Sequence, residues 1–493
     1  MKQNSLKQKA VSGIIWAALQ RYSVMFIAFI SGIILARLLS PHDYGCIGML
    51  AIFMALAQAF IDGGFGAALI QKKHPTQEDY STIFFWNIGM AFLMYAVIFI
   101  SAPYIAHFYD IPLLSKVLRV QALVLFIYAF NIVQRNQLQK KLDFKVLSIV
   151  TIITSLTTLT ITIVLAYHGF GVWSLVAQNI LTSLIPALVF WFYIKWRPVF
   201  LFSRQSFKEL FGFGFYMFLT SILNQFSQQI QGLLIGRYFN ASIMGYYSKA
   251  YKTEELASQS ISQVMTQVTY PLYAEMQDDR ERLKSVIKRL TRVLSYVTFP
   301  LLFILLLCAK PLFVLLYSEK WLDSVPFFQV LCLAGLAVCL QAINLQAISA
   351  IGKGRVMFVG TVIKRTVGIS FIVGGFFIWG MKGLLYGVVF NSWFSYLYNI
   401  YLVSKYIGFK CTEQLMDLFP VLFFSSLVAL LCYIITNQMQ LGLYMNGVVM
   451  ALLYIVLYWI VSLIWKPQEF IYCKSLVFSY LGRIKGLLLK DRV

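Results

Sequence analysis

Charge is what this chain has least of. Only 12% of its 493 residues are Asp, Glu, Lys or Arg, against about 25% in soluble domains, which excludes a soluble globule. Acidic residues are the scarcer sign, 19 against 41 Lys and Arg, for a net charge of +22. Cysteines are few and scattered, at 46, 308, 332, 339, 411, 432 and 473. No two have metal-ligand spacing and most sit in apolar stretches, so they read as small core hydrophobes. The His residues (42, 74, 107 and 168) fall near loops without clustering and read as interfacial. There is no GxxxxGK[ST], no HExxH, no Ser/His/Asp arrangement and no carboxylate pair beside a nucleophile. The "GKGR" at 352–355 is too short for a nucleotide site. No catalytic residue, metal or cofactor is therefore expected. The longest non-membrane segment, 271–292, leaves no extramembrane domain to hold an acceptor, which counts against a membrane glycosyltransferase or polymerase. No filter or sensor of a gated channel is visible.

What is abundant is apolar. Hydrophobic residues make up 60% and aromatics 16%, with a mean hydropathy of +0.75. Repeated apolar runs of about 20 residues read as membrane-spanning helices, and they do not alternate as barrel strands would. The pattern predicts an all-α polytopic membrane protein with about 14 transmembrane helices, the first over 11–36 and the last over 446–465. The opening "MKQNSLKQKAVSGIIWAALQ" runs on too long for a signal peptide and is kept as the first span. Most Lys and Arg fall in the alternate segments that include both termini. The positive-inside rule then places both ends in the cytoplasm and makes the number of spans even. The basic balance reflects this topology and attraction to anionic membrane lipids, not nucleic acid. Residues 467–493 show apolar residues at helical spacing with basic ones between, the pattern of an amphipathic tail on the inner surface.

The chain also repeats itself. "GIILARLLSPHDYG" (Gly32 to Gly45) is echoed by "GLLIGRYFNASIMG" (Gly232 to Gly245), and "GVWSLVAQN" (Gly171 to Asn179) by "GLLYGVVFN" (Gly383 to Asn391). The second pair lies further apart, and the 271–292 segment, longer than its counterpart 70–80, absorbs the difference. Spans 1–6 and 7–12 then read as two six-helix lobes, residues 1–200 and 201–410, in a parallel repeat about the membrane normal. Residues 411–466 supply two extra spans. Transporters built this way hold substrate between the halves.

Polar residues inside the spans mark candidate sites, because a charge at mid-bilayer costs about 2.5–3.5 kcal/mol on insertion scales. Span 1 carries Gln20–Arg21. Span 8 carries Ser248, Lys252, Glu255, Gln259, Ser262 and Thr266 on one helical face, with Lys249 and Glu254 beside it. Lys252 and Glu255 have the spacing of a helical ion pair. Span 11 holds Lys364–Arg365, for which snorkelling and cavity lining are both open. The Thr stripe of span 5 (151, 154, 158 and 162) reads as helix glue. Asp62, in "FIDGGFGAAL", is a candidate hinge or ion-coupling residue, as is Glu254. The basic members suit an anionic substrate, phosphate most of all.

The stretches "SLKQKAVSGIIWAALQR", "LARLLSPHDYG", "DGGFGAALIQKK", "LQKKLDFK", "HGFGVWSLVAQN", "MGYYSKAY" and "TYPLYAEMQ" together resemble the polysaccharide exporters of the colanic-acid and teichuronic-acid type, within the multidrug/oligosaccharidyl-lipid/polysaccharide exporter superfamily. The resemblance runs in order over nearly the whole chain. It implies a flippase for undecaprenyl-diphosphate-linked glycan repeat units in the bacterial inner membrane, with a cationic cavity. Arg21 matches a cavity arginine of the related lipid II flippase, and Lys249 and Lys252 are looser matches. Implied partners are that glycan lipid and the glycosyltransferases and polymerase of the same pathway. The alternatives are a cation-coupled multidrug exporter of the same fold, a membrane glycosyltransferase or polymerase, and a scaffold without transport.

Overall fold

The computed structural model describes residues 2–439, 441–465, 467 and 469–471. The tail expected over 467–493 lies almost wholly outside the described residues. Among those described there is no strand, and the chain forms two compact units, Met1–Lys249 and Ala250–Val493. The first unit contains α1 (Lys2–Leu38), α2 (Pro41–Asp62), α3 (Phe65–Gln71), α4 (Gln77–Phe108), α5 (Leu113–Gln121), α6 (Val124–Lys140), α7 (Phe144–Tyr167), α8 (Val172–Tyr193) and α9 (Arg204–Tyr238). The division falls inside α10 (Ala241–Ala274). The second unit continues with α11 (Arg280–Leu307), α12 (Ala309–Tyr317), α13 (Val325–Ala350), α14 (Gly354–Ile407), α15 (Cys411–Gln438) and α16 (Leu443–Trp465). α9 packs on α2, α3 and α4, which places it in the first unit by contact.

Eleven stretches among the described residues are long and apolar enough to cross a membrane, so this is a multi-pass membrane protein. The sequence pattern predicts about 14, and the difference has two physical reasons. α9 and α10 carry runs of amide, hydroxyl and charged side chains and fall outside the apolar set. α14 is one helical stretch of 54 residues, yet its backbone breaks at Trp379 and Gly380, where Gly380 has φ 61°. That break lies in the "WGMKG" turn expected between spans 11 and 12.

Other boundaries differ from the sequence reading. The expected span over 44–69 is two helices. α2 stops at Asp62, and Gly63 (φ 53°) and Gly64 (φ 76°) take the left-handed conformation before α3 starts. Both need glycine's freedom. Gly64 also lies so close to α9 that an added Cβ would sit 2.0 Å from the Gly214 carbonyl oxygen. Backbone strain of this kind costs roughly 1–3 kcal/mol by itself, before that clash is counted. Gly64→Ala is therefore expected to cut the yield of folded protein and lower its melting temperature in detergent. A variant with wild-type yield and melting would contradict this packing.

The segment 271–292 is likewise mostly helix rather than loop, since α10 runs to Ala274 and α11 begins at Arg280. Its cations are partly neutralised. Lys284 meets Glu413 at 3.2 Å and Lys288 meets Asp417 at 3.6 Å. Arg292 pairs with Asp417 and reaches Glu469 at 3.6 Å. These basic residues recur one helical turn apart, so they tie α11 to α15 along one face. In the first unit, Lys72 bridges Asp79 and Glu209, each at 3.0 Å. Burial would lower its ammonium pKa. The hydrogen bonds and charges of both carboxylates outweigh that and hold the proton more tightly than usual.

Candidate functional site

The sequence echo becomes a contact in the first unit. Ser40 caps α2: its Oγ accepts from the Asp43 N–H at 3.2 Å, and Asp43 Oδ2 accepts from the Ser40 N–H at 2.9 Å. This is a capping box with Pro41 at the first helical position. Asn240 does the matching work for α10, its Oδ1 accepting from the Ile243 N–H at 2.9 Å. The turn-like part of each copy is thus a helix start. The two starts meet at their glycines. A Cβ on Gly45 would lie 1.7 Å from the Ala241 carbonyl oxygen, and one on Gly245 would lie 1.8 Å from that of Pro41. Pro41 and Ala241 occupy matching places in the echo, so the contact is reciprocal, like that of a two-fold interface. Gly232 extends it, its Cβ position lying 3.1 Å from the Gly48 carbonyl oxygen.

The expected charged residues have different surroundings. Arg21, on α1, is half-buried and has no hydrogen bond or ion pair among the described residues. Its neighbour Gln20 donates from Nε2 to Thr151 Oγ1 at 3.2 Å, tying α1 to α7. The rest of the Thr stripe is less of a glue than expected. Thr154, Thr158 and Thr162 all donate to the carbonyl one turn back in α7 itself. Lys249 is 5% exposed and donates to the Gly32 carbonyl at 2.6 Å, with its ammonium 5.4 Å from the Tyr44 ring centroid. Its charge therefore rests on the first copy of the echo. Asp62 ends α2 with its carboxylate beside the backbone of Gly64 and Gly66, at the start of α3. Gly66 leaves room for it: a Cβ there would lie 2.8 Å from Asp62 Oδ1.

In the second unit, Lys252 is exposed although it lies about three turns into α10. Glu255 is half-buried and within electrostatic reach of it, without the direct ion pair that their spacing suggested. Tyr251 feels the charges of Glu255, Glu254 and Arg365, so α14 brings Arg365 toward this face. Lys364 donates to Asn399 Oδ1 at 2.8 Å, so it turns toward the second half of α14. Glu254 is 6% exposed and its Oε1 has no hydrogen-bond partner. It fits only because α13 has Gly335 opposite, where a Cβ would lie 2.2 Å from that oxygen.

Two basic residues outside the sequence-based set matter. Arg237 donates to the Phe108 carbonyl at 2.5 Å and pairs with Asp110 at 3.3 Å, closing the end of the first unit that holds the reciprocal contact. Arg135 reads in sequence as part of a basic flank, "QRNQLQKK". The structure instead sets it at the edge of a cavity of about 400 Å³ between α1, α6, α7 and α8. No spacing rule finds that cavity, because its walls come from four helices distant in sequence. Among the described residues no His, Cys, Asp and Glu group is placed to hold a metal ion.

Among the described residues the chain is helical and multi-pass, with cations set inside its helices. Residues 34–326 match the family described as polysaccharide biosynthesis protein, and the chain belongs to that family. It is similar to the teichuronic acid biosynthesis protein TuaB of Bacillus subtilis, at 26% identity over 72% of this chain and 74% of TuaB. It is similar also to the lipopolysaccharide biosynthesis protein WzxC of Escherichia coli, at 25% over 67% of this chain and 68% of WzxC. The succinoglycan biosynthesis transport protein ExoT of Rhizobium meliloti is 26% identical over 71% of each chain. Among solved structures, the fold matches the lipid II flippase MurJ in an inward closed conformation, with a TM-score of 0.73 and 14% identity over 92% of this chain and all of that one. It also matches an inward-facing multidrug resistance transporter of the MATE family, with a TM-score of 0.61 and 17% identity over 80% of this chain and 98% of that one.

Proposed function

We propose that the protein turns a lipid-linked oligosaccharide repeat unit from the inner to the outer leaflet of the bacterial inner membrane. The carrier lipid is undecaprenyl diphosphate. The observation that carries this reading is the conjunction of two matches: a polysaccharide biosynthesis family by sequence and a lipid flippase by fold. Relatives named for teichuronic acid, lipopolysaccharide and succinoglycan support a glycan as cargo. Basic groups set inside the helices, Arg21 first among them, hold the diphosphate, while the polyprenyl tail stays in lipid. Lobes 1–200 and 201–410, related by duplication, alternate access to the two faces, and both chain termini lie in the cytoplasm. The protein acts as a carrier and forms or breaks no bond in its cargo.

The fold match to a multidrug transporter keeps a drug exporter as the second reading. A basic binding region opposes it, since cationic drugs are repelled there. Deletion of the coding sequence followed by lipid extraction separates the two. The flippase reading requires lipid-linked repeat units to accumulate on the cytoplasmic leaflet. Unchanged lipid-linked pools with raised drug sensitivity would replace it by the exporter.

A further inference from the structure

The cavity beside Arg135 has a chemistry of its own. Its walls carry neutral amides and hydroxyls, among them Gln20, Asn131, Gln139, Ser155 and Ser183, together with the rings of Tyr128, Phe144 and Phe190. Arg135 is the one charged side chain in the lining. It is exposed and makes no hydrogen bond or ion pair among the described residues. Asn131 Oδ1, in the same wall, is buried without a hydrogen-bond partner. Asp62, which like Arg135 lies within electrostatic reach of Tyr128, is absent from the lining. The cavity thus offers one uncompensated guanidinium among uncharged polar groups.

Each part of that lining points to the same class of ligand. A guanidinium forks onto the two oxygens of a carboxylate or phosphate. Amides and hydroxyls both donate and accept, as sugar hydroxyls do. Ring faces suit the apolar face of a pyranose. The volume of about 400 Å³ lies within the range of small-ligand pockets, roughly 300–1,000 Å³. The pocket also lies toward the Lys- and Arg-rich ends of its helices, the ends that the positive-inside rule gives to the cytoplasm. We infer that the cavity between α1, α6, α7 and α8 binds one acidic sugar residue, a hexose-sized ring bearing a single carboxylate or phosphate, with Arg135 as the anion contact. This deepens the flippase reading and rests on it, since it makes an acidic sugar part of the cargo.

The test uses the full chain in lipid nanodiscs, with glucuronate, glucose 1-phosphate and glucose as probes and calorimetric titration as readout. Glucuronate, glucose 1-phosphate or both are expected to bind at least tenfold tighter than glucose. Binding of glucuronate alone places the acid in the glycan, and binding of the phosphate alone places it at the sugar joined to the carrier. Arg135→Gln should remove the preference, Arg135→Lys should keep part of it, and Ser183→Phe should fill the cavity and block all three probes without changing the melting temperature. Equal binding of charged and neutral sugars, or a preference that survives Arg135→Gln, overturns the inference. Lipid-linked repeat units in a deletion strain are counted separately. If they accumulate while no acidic sugar binds, the acidic-sugar site fails and the flippase reading stands. If they do not accumulate, the flippase reading itself fails.

Discussion

Gly45→Val, Gly245→Val and the double variant should all abolish export, and the double should be little worse than either single. Added Cβ atoms would sit 1.7 Å and 1.8 Å from facing carbonyl oxygens, and both obstacles are backbone, so no rotamer change can relieve them. The starts of α2 and α10 must separate instead. Overpacking of this kind costs typically about 1–3 kcal/mol, which is roughly tenfold to hundredfold in any equilibrium that closes this corner. The two glycines share one interface, so their effects should couple rather than add. Once the helices have parted for one side chain, the second meets little. Cys46 offers a direct readout, because it adjoins Gly45 and is fully buried. A water-soluble maleimide should leave it unmodified in the parent protein and label it in both single variants. Unlabelled Cys46 with normal export in Gly245→Val would mean that the corner does not need to close.

Arg21→Glu should be the most damaging single change of charge. A cation within a membrane span costs about 2.5–3.5 kcal/mol on insertion scales, and this one recovers none of that through a partner among the described residues. A diphosphate would supply the missing contact, worth roughly 1.5–3 kcal/mol as a charge-assisted hydrogen bond. Arg21→Ala should therefore lower export by about tenfold or more at near-normal protein level. Arg21→Glu should go further, since it repels the phosphates as well as losing the contact. Lys252→Ala should resemble Arg21→Ala, and Glu255→Gln should do less. Export by Arg21→Glu at the parent rate would remove Arg21 from the binding region.

Much of this was legible in sequence, and the misses have physical causes. Apolar runs gave most spans because the bilayer imposes one length and one polarity on them all. The echo pointed to paired structures, and its last glycines turned out to be the contact itself. The break at Gly63–Gly64 was hidden, since two glycines in an apolar run read equally well as a loosened helix or as two left-handed residues. Lys364 was ambiguous for another reason. Its depth was readable, but its partner Asn399 lies on the far half of α14 and is reached only because the helix breaks at Trp379–Gly380. In sequence Lys249 is a cation beside a polar face, and only the fold supplies the Gly32 carbonyl to which it donates. Arg135 was the most complete miss. At the end of a span, next to Lys140 and Lys141, it satisfies the positive-inside pattern, and nothing local separates such a cation from one that edges a cavity.

Reconstitution tests the central claim most directly. The purified chain would be placed in vesicles that carry the undecaprenyl-diphosphate-linked repeat unit of its own host, with the glycan's exposure followed by a glycosidase that cannot cross the bilayer. With the parent protein, the fraction of repeat units open to the enzyme should rise from the outer-leaflet share toward completion, while Arg21→Glu vesicles stay at the starting value. Cleavage that stops at the outer-leaflet share with the parent protein, in vesicles where its folded state is verified, would contradict the account.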